Sequence, residues 1–209
     1  MALMEAAGLG FCYGGQDWLF RELSLSVEEG EVVGLSGPSG SGKSTLAKVL
    51  AGYDKPIVGE VKLDGLPIPE RGAHPVQLVL QHPERAVNPR WRIRRILMEG
   101  GTPDAALIEA LGITEDWLGR WPSELSGGEL QRICIARALS PAAVKVLIAD
   151  EMTAMLDAIT QSGLWRTVLR YAEHRRMGLL VISHDEQLLR RICTRRLKWD
   201  ELVRCARAQ

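Results

Sequence analysis

Nowhere does this 209-residue sequence hold the roughly 18 consecutive apolar residues that a membrane-spanning helix needs, so no bilayer span is expected. It begins with no positively charged leader followed by an apolar stretch, which argues against a secretory signal. Cysteine is sparse: Cys12, Cys134, Cys193 and Cys205 lie far apart and form no C-x-x-C pair. Without an export signal, free thiols in a reducing compartment are expected, and with them a cytosolic domain. Formal net charge is +0, so no global field draws the chain to nucleic acid or to an anionic membrane. Internal repeats and low-complexity stretches are missing as well. Local charge bias remains in two arginine groups, Arg90, Arg92, Arg94, Arg95 and Arg190, Arg191, Arg195, Arg196, each read first as a solvated helix face.

What is present is an ordinary globular composition, 46% hydrophobic and 25% charged, in a chain long enough to bury a core. Short apolar runs rich in Val, Ile and Leu at residues 32–35, 76–80, 144–149 and 179–182 read as buried strands. Residues 60–63, ending at Asp64-Gly65, read as a strand entering a tight turn. Residues 45–50 and 162–172 read as helices. Strands alternating with helices predict a mainly parallel sheet covered on both faces. The stretch 82–124 has helical segments at 93–98 and 104–111 and no convincing strand. Alternating segments around Tyr13 and at 23–27 predict an N-terminal antiparallel β patch. The expected organisation is one α/β domain over 1–209, with its core in 1–81 and 144–209 and a helical subdomain at 82–143.

Gly37-Pro38-Ser39-Gly40-Ser41-Gly42-Lys43-Ser44-Thr45 fits G-x-x-x-x-G-K-[ST], with a buried strand before it and a helix after it. Glycines let successive backbone N–H groups turn inward as an anion nest, and the helix start adds its positive dipole end. Lys43 can then reach the β- and γ-phosphates of ATP, and the Ser44 hydroxyl can ligate Mg2+. Such a site needs a carboxylate at the end of a neighbouring strand. Residues 144–149 end in Asp150-Glu151: Asp150 suits the metal, and Glu151 can polarise the attacking water. Strand 179–182 ends in Ser183-His184-Asp185, which brings His184 to the same sheet edge as a partner for the γ-phosphate. Gln81, ending a third strand, could offer its amide oxygen to Mg2+ or to the water.

Leu125-Ser126-Gly127-Gly128-Glu129 reads locally as a capping box opening a helix toward Leu139. Capping explains Ser126 and Glu129 but not two glycines in the first turn, where they are poor helix formers. Bare N–H groups there make a second anion site.

With both phosphate elements in place, the chain resembles the ATP-binding subunits of ABC transporters over nearly its whole length. The resemblance implies a head-to-tail dimer in which the phosphate loop of one subunit and the Ser126, Gly127, Gly128 signature of the other enclose each ATP. It also implies Tyr13 as the aromatic stacking on adenine, Gln81 as the glutamine loop, Asp157 as a contact across the dimer and His184 as the switch histidine. Where the family usually has Pro-Thr-Ser-Ala-Leu-Asp after the glutamate, this chain has Met152-Thr153-Ala154-Met155-Leu156-Asp157, which predicts altered loop stiffness. Residues 76–81 with Ala86-Val87-Asn88-Pro89-Arg90, and the run 129–139, look like the peptide and nickel importer group. That group implies a second ATP-binding subunit (identical or paralogous), two membrane-spanning subunits and an extracytoplasmic solute-binding protein. The chain itself is then expected at the cytoplasmic side of the membrane, with no nucleic-acid partner. In this family the segment after Gln81 receives the membrane subunits, which offers the Arg90 to Arg95 group a docking role beside the solvated-face reading. The competing expectation is a soluble ABC-type ATPase serving DNA or the ribosome. Such chains carry coiled-coil, zinc-finger or second-cassette insertions, which this sequence lacks.

Overall fold

The computed structural model describes residues 2–15, 17–69 and 74–205, with the backbone alone for Arg204 and Cys205. Strands β1 (Ala2–Phe11) and β2 (Phe20–Glu28) pair antiparallel. Then come β3 (Val32–Ser36), helix α1 (Lys43–Leu50), and the hairpin of β4 (Val58–Leu63) and β5 (Leu66–Pro67). Asp64 and Gly65 form its two-residue turn with φ of 52° and 75°, the left-handed pair such a turn demands. β6 (Val76–Val79) leads into four helices: α2 (Ile93–Leu97), α3 (Ala105–Ala110), α4 (Glu115–Leu118) and α5 (Gly127–Leu139). The chain closes with β7 (Val146–Asp150), α6 (Ala158–His174), β8 (Gly178–Ile182), α7 (Glu186–Ile192), β9 (Arg195–Lys198) and α8 (Trp199–Cys205).

One sheet has the order β2-β1-β4-β5 and is antiparallel; the other has the order β6-β7-β8-β3-β9 and is parallel throughout. The parallel strands explain the unbroken apolar runs. Alternate residues of β7 and β8 serve different cores: Val146, Ile148, Leu180 and Ile182 pack toward the antiparallel sheet and α1. Leu147, Ala149, Leu179 and Val181 pack toward α5 and α6. Each such valine, leucine or isoleucine contributes about 1.5–3 kcal/mol by burial, which is why both faces select apolar residues. β2 instead alternates, burying Leu23, Leu25 and Val27 on one face only.

Between β6 and β7 the described chain is helical, with no strand. Its longest helix, α5, is fastened to the preceding loop by a ladder of side-chain donors. Gln131 Nε2 donates to the Leu80 carbonyl (3.2 Å), Cys134 Sγ to Pro83 (3.8 Å) and Arg137 Nη1 to Ala86 (2.7 Å). Donors and acceptors both advance by three residues, so one face of the helix tracks the loop step for step.

Several boundaries differ from expectation. α1 begins at Lys43 and α6 at Ala158, four residues before the expected start, because Asp157 caps it and supplies donors-to-be with an acceptor. Tyr13 lies beyond β1, beside Gly14 and Gly15 at positive φ. The second arginine group is not one helix face: Arg190 and Arg191 end α7, whereas Arg195 and Arg196 belong to β9 at the sheet edge. Edge position tolerates such charge, since one side of the strand meets solvent.

Candidate nucleotide-binding site

Sheet register assembles the site. Leu35 of β3, Ile182 of β8 and Asp150 of β7 stand level across three adjacent strands, so the residues that follow each of them leave from one edge. On β6, Val79 pairs with Ala149, and the same register carried two residues onward sets Gln81 level with Glu151. Gln81 is half-buried.

From β3 the chain wraps through residues 37–42 into α1. Gly42 is the residue before the helix, at φ 110°, a conformation that side-chain-bearing residues rarely adopt. Gly37 is held for another reason: a Cβ there would come within 2.5 Å of Trp199 Cβ. Trp199, from α8, stacks edge-on against Phe20 with centroids 6.0 Å apart and so props the loop from behind. The loop's outer residues, Ser39 and Gly40, are exposed.

Lys43 is buried, and its ammonium donates to the carbonyls of Gly37 (2.9 Å) and Pro38 (2.6 Å) and to Ser41 Oγ (3.3 Å). Burial pulls its pKa below the usual 10.5, and the Glu151 and Asp150 carboxylates push the other way. Asp150 is buried too, and burial raises its carboxyl above the usual 3.8 while a Ser44 hydrogen bond and the Lys43 charge oppose the rise. Ser44 itself is exposed, with Asp150 behind it. A hydroxyl and a carboxylate so joined form a hard-oxygen pair, the donor set that Mg2+ takes.

Glu151 sits at φ 48°, a strained setting for a residue with a side chain. Its N–H donates to the Ile182 carbonyl at 2.9 Å, and its Oε1 lies 3.1 Å from His184 Nδ1. A cavity of about 260 Å3 opens beside this pair, walled also by Thr153, Gln161 and Trp165. Tyr13 is half-exposed, and its hydroxyl shares a 3.2 Å hydrogen bond with Thr45 Oγ1, which ties it to the first turn of α1.

The expected capping box is present. Ser126 Oγ accepts from Glu129 N (3.3 Å), and Glu129 Oε2 accepts from Ser126 N (2.7 Å). Those backbone and side-chain bonds hold the Glu129 carboxyl below its usual 4.5. Ser126 and Gly127 are exposed, and the polar bonds of Ser126 stay within its own helix start. Gly128 faces Leu156 across the next loop. Asp157 caps α6 by accepting from Ile159 N (3.1 Å) and Thr160 N (3.0 Å), bonds that also lower its pKa.

Lys43, Ser44, Asp150, Glu151, Gln81 and His184 therefore lie at one edge of the parallel sheet, and Tyr13 joins them from the turn after β1. The signature residues stand on a separate helix. In the first arginine group, Arg92 and Arg95 lie over the rings of Trp121 and Trp91 at 3.9 Å each, and Arg94 pairs with Glu115. Sequence reasoning missed Trp199 and Thr153. A tryptophan opening a helix gave no sign of its position behind Gly37, and Thr153 sat inside a loop read only for its altered stiffness.

Fold and site together define a phosphate-loop ATPase. The comparisons narrow this: residues 20–154 match the ABC transporter family model, and the chain belongs to that family as an ATP-binding, ATP-hydrolysing domain. It is 37% identical over 204 residues to a nickel import ATP-binding protein, NikE, of Rhodospirillum rubrum, covering 88% of this chain and 73% of that one. It is 33% identical to NikE of Escherichia coli K12, covering 96% of this chain and 84% of that one. Among solved structures, the dimeric post-hydrolysis state of an ATP-binding cassette bound to ADP and Pi superposes with a TM-score of 0.78 at 24% identity, covering 93% of each chain. No helix of the described residues is long and apolar enough to cross a membrane.

Proposed function

We propose that this chain is the ATP-hydrolysing subunit of an importer for nickel, a metal chelate or a peptide, working at the cytoplasmic side of the membrane beneath separate membrane-spanning subunits. The observation that carries the reading is the near full-length similarity to nickel import ATP-binding proteins, which extends across the segment after Gln81 as well as the nucleotide motifs. The membrane-spanning subunits and a solute-binding protein outside the membrane would choose the cargo.

In this reading residues 37–45 bind the phosphates, with Lys43 and the backbone N–H groups around Gly40 and Gly42 as donors. Tyr13 lies where it can cover adenine. Ser44, Asp150 and Gln81 would hold Mg2+, which when bound neutralises charge on the β- and γ-phosphates. Glu151 takes the proton of the attacking water, and His184 fixes the Glu151 carboxylate and reaches toward the γ-phosphate. Ser126, Gly127 and Gly128 complete the pocket of a second ATP-binding subunit. The exposure of Ser126 and Gly127 and the dimeric form of the superposed cassette support that pairing. ATP then stabilises the closed dimer to the extent that it binds the closed form more tightly than the open one. The same reading divides the chain into an ATPase core at 1–81 and 144–209 and a helical subdomain at 82–143.

The test is co-expression with candidate membrane subunits, followed by ATPase assays in vesicles. Stimulation of turnover by a nickel- or peptide-loaded binding protein is the expected result. A chain that co-purifies with no membrane subunit and whose turnover ignores every loaded binding protein would refute the importer role.

A further inference from the structure

Lys43, Gln131, Asp150, Thr153 and Ser183 are the buried polar or charged residues among those described. Lys43 and Asp150 belong to the phosphate edge, and Gln131 belongs to the α5 ladder. Ser183 Oγ accepts from Asp185 N at 3.0 Å. Thr153 is not among the residues assigned above to phosphate or metal; it is 3% exposed and its Oγ1 accepts two hydrogen bonds. One comes from Trp165 Nε1 (3.0 Å) and the other from Gln161 Nε2 (2.9 Å), four residues apart on one face of α6.

We infer that Thr153, pinned by Trp165 and Gln161, is a positioning residue for Glu151. The loop from Glu151 to Asp157 carries no proline, and Glu151 must be held in a left-handed conformation. It is fastened at its start by Glu151 N to the Ile182 carbonyl and at its end by the Asp157 cap on α6. Thr153 supplies the fastening between them. Only Met152, itself 2% exposed, separates Thr153 from Glu151, so fixing one leaves the other little play. Thr153 also accepts Leu156 N on its carbonyl (3.1 Å), which extends the constraint toward Asp157. A buried indole N–H needs an acceptor and the half-buried Gln161 amide loses its partner too, so removing the hydroxyl leaves both donors unpaired and lets the loop shift. Displacement of a reacting group by about 1 Å is enough to cost up to about 10²-fold in rate. The inference rests on Glu151 being the base.

The experiment measures kcat and KM for ATP in the full chain carrying Thr153→Val, Thr153→Ser, Trp165→Phe or Glu151→Gln. Valine keeps the shape without the acceptor and should lower kcat by about tenfold or more, with KM for ATP within about twofold. Serine keeps the acceptor and should restore most of the rate. Trp165→Phe keeps a buried ring, removes one donor and should fall between them. Wild-type kcat in folded Thr153→Val overturns the role, as does a Ser variant as impaired as Val, or a change confined to KM. If Thr153→Val does not fold, Trp165→Phe decides, and an unchanged kcat there overturns the role. Full turnover in Glu151→Gln would instead refute the base assignment on which the inference stands.

Discussion

Glu151 Oε1 and His184 Nδ1 lie 3.1 Å apart, although the two residues leave different strands, β7 and β8. The level pairing of Asp150 with Ile182 makes this possible: each side chain departs from the same edge within two residues of the last shared rung. The partners differ in setting. The Glu151 side chain is 19% exposed and His184 64%, so the carboxylate is held and the imidazole remains accessible to a ligand.

That asymmetry predicts unequal mutational effects. Glu151→Gln keeps size and loses the proton acceptor, so turnover should fall by about 10²–10⁴-fold with ATP affinity retained. His184→Ala removes an orienting partner and should cost less, with Gln at 184 recovering part of the loss. Single-turnover hydrolysis alongside equilibrium nucleotide binding measures both, and a Glu151→Gln chain hydrolysing at the normal rate would exclude the carboxylate as base.

Asp150 sets function against stability. Its folded carboxyl titrates above the ordinary 3.8, mainly through burial. Between 3.8 and that raised value the folded chain binds more protons than the unfolded one. The group's contribution is therefore fully present below 3.8 and is lost as pH rises through the folded pKa. Asp150→Asn retains an oxygen for Ser44 and removes that loss. Tm should rise at neutral pH, and the gain should vanish toward acid pH. MgATP turnover should meanwhile fall by about 10²-fold or more. Calorimetry across pH tests the first effect, and a Tm that drops at neutral pH would refute it.

Much of this was legible in the sequence because local chemistry and register agree there. The strand before Gly37, the helix after Gly42 and the capping box of Ser126 with Glu129 are written in neighbouring residues. β9 was not legible. Arg195, Arg196 and Lys198 hide a strand whose only reason to form is the β3 edge, more than 150 residues earlier in the chain. Asp157 was read from family resemblance as a contact across a dimer; as a helix cap it could have been foreseen, since it stands just before an apolar-periodic run. Thr153 was invisible as a buried acceptor. The usable signal was Gln161 and Trp165, two donors on one turn of α6 that needed a common partner.

The ladder between α5 and the loop after β6 predicts that Gln131 matters at a distance from nucleotide. Gln131→Leu preserves burial but leaves the Leu80 carbonyl without its donor, at a cost of about 1–3 kcal/mol. Thermal unfolding should register that loss. Hydrogen exchange should accelerate at residues 80–86 while residues 37–45 keep wild-type protection. Uniform acceleration throughout the chain would mean that the ladder confers no local stiffness.

Gly127 offers a direct test of whether the site is shared between chains. A Cβ added there meets nothing within 4 Å, and an acid in the first turn of α5 suits the helix dipole, so Gly127→Asp should fold with unchanged Tm. Its carboxylate would nonetheless face a phosphate presented by a second subunit and abolish turnover. Lys43→Ala should abolish turnover from the opposite side, by emptying the phosphate loop of its buried ammonium. If the two elements act within one chain, a mixture of the two variants has no intact site and stays inactive. If they act between chains, each mixed dimer holds one site with both defects and one with neither, and turnover returns on mixing. Titrating one variant into the other and following phosphate release distinguishes these cases, with recovery of activity as the expected result.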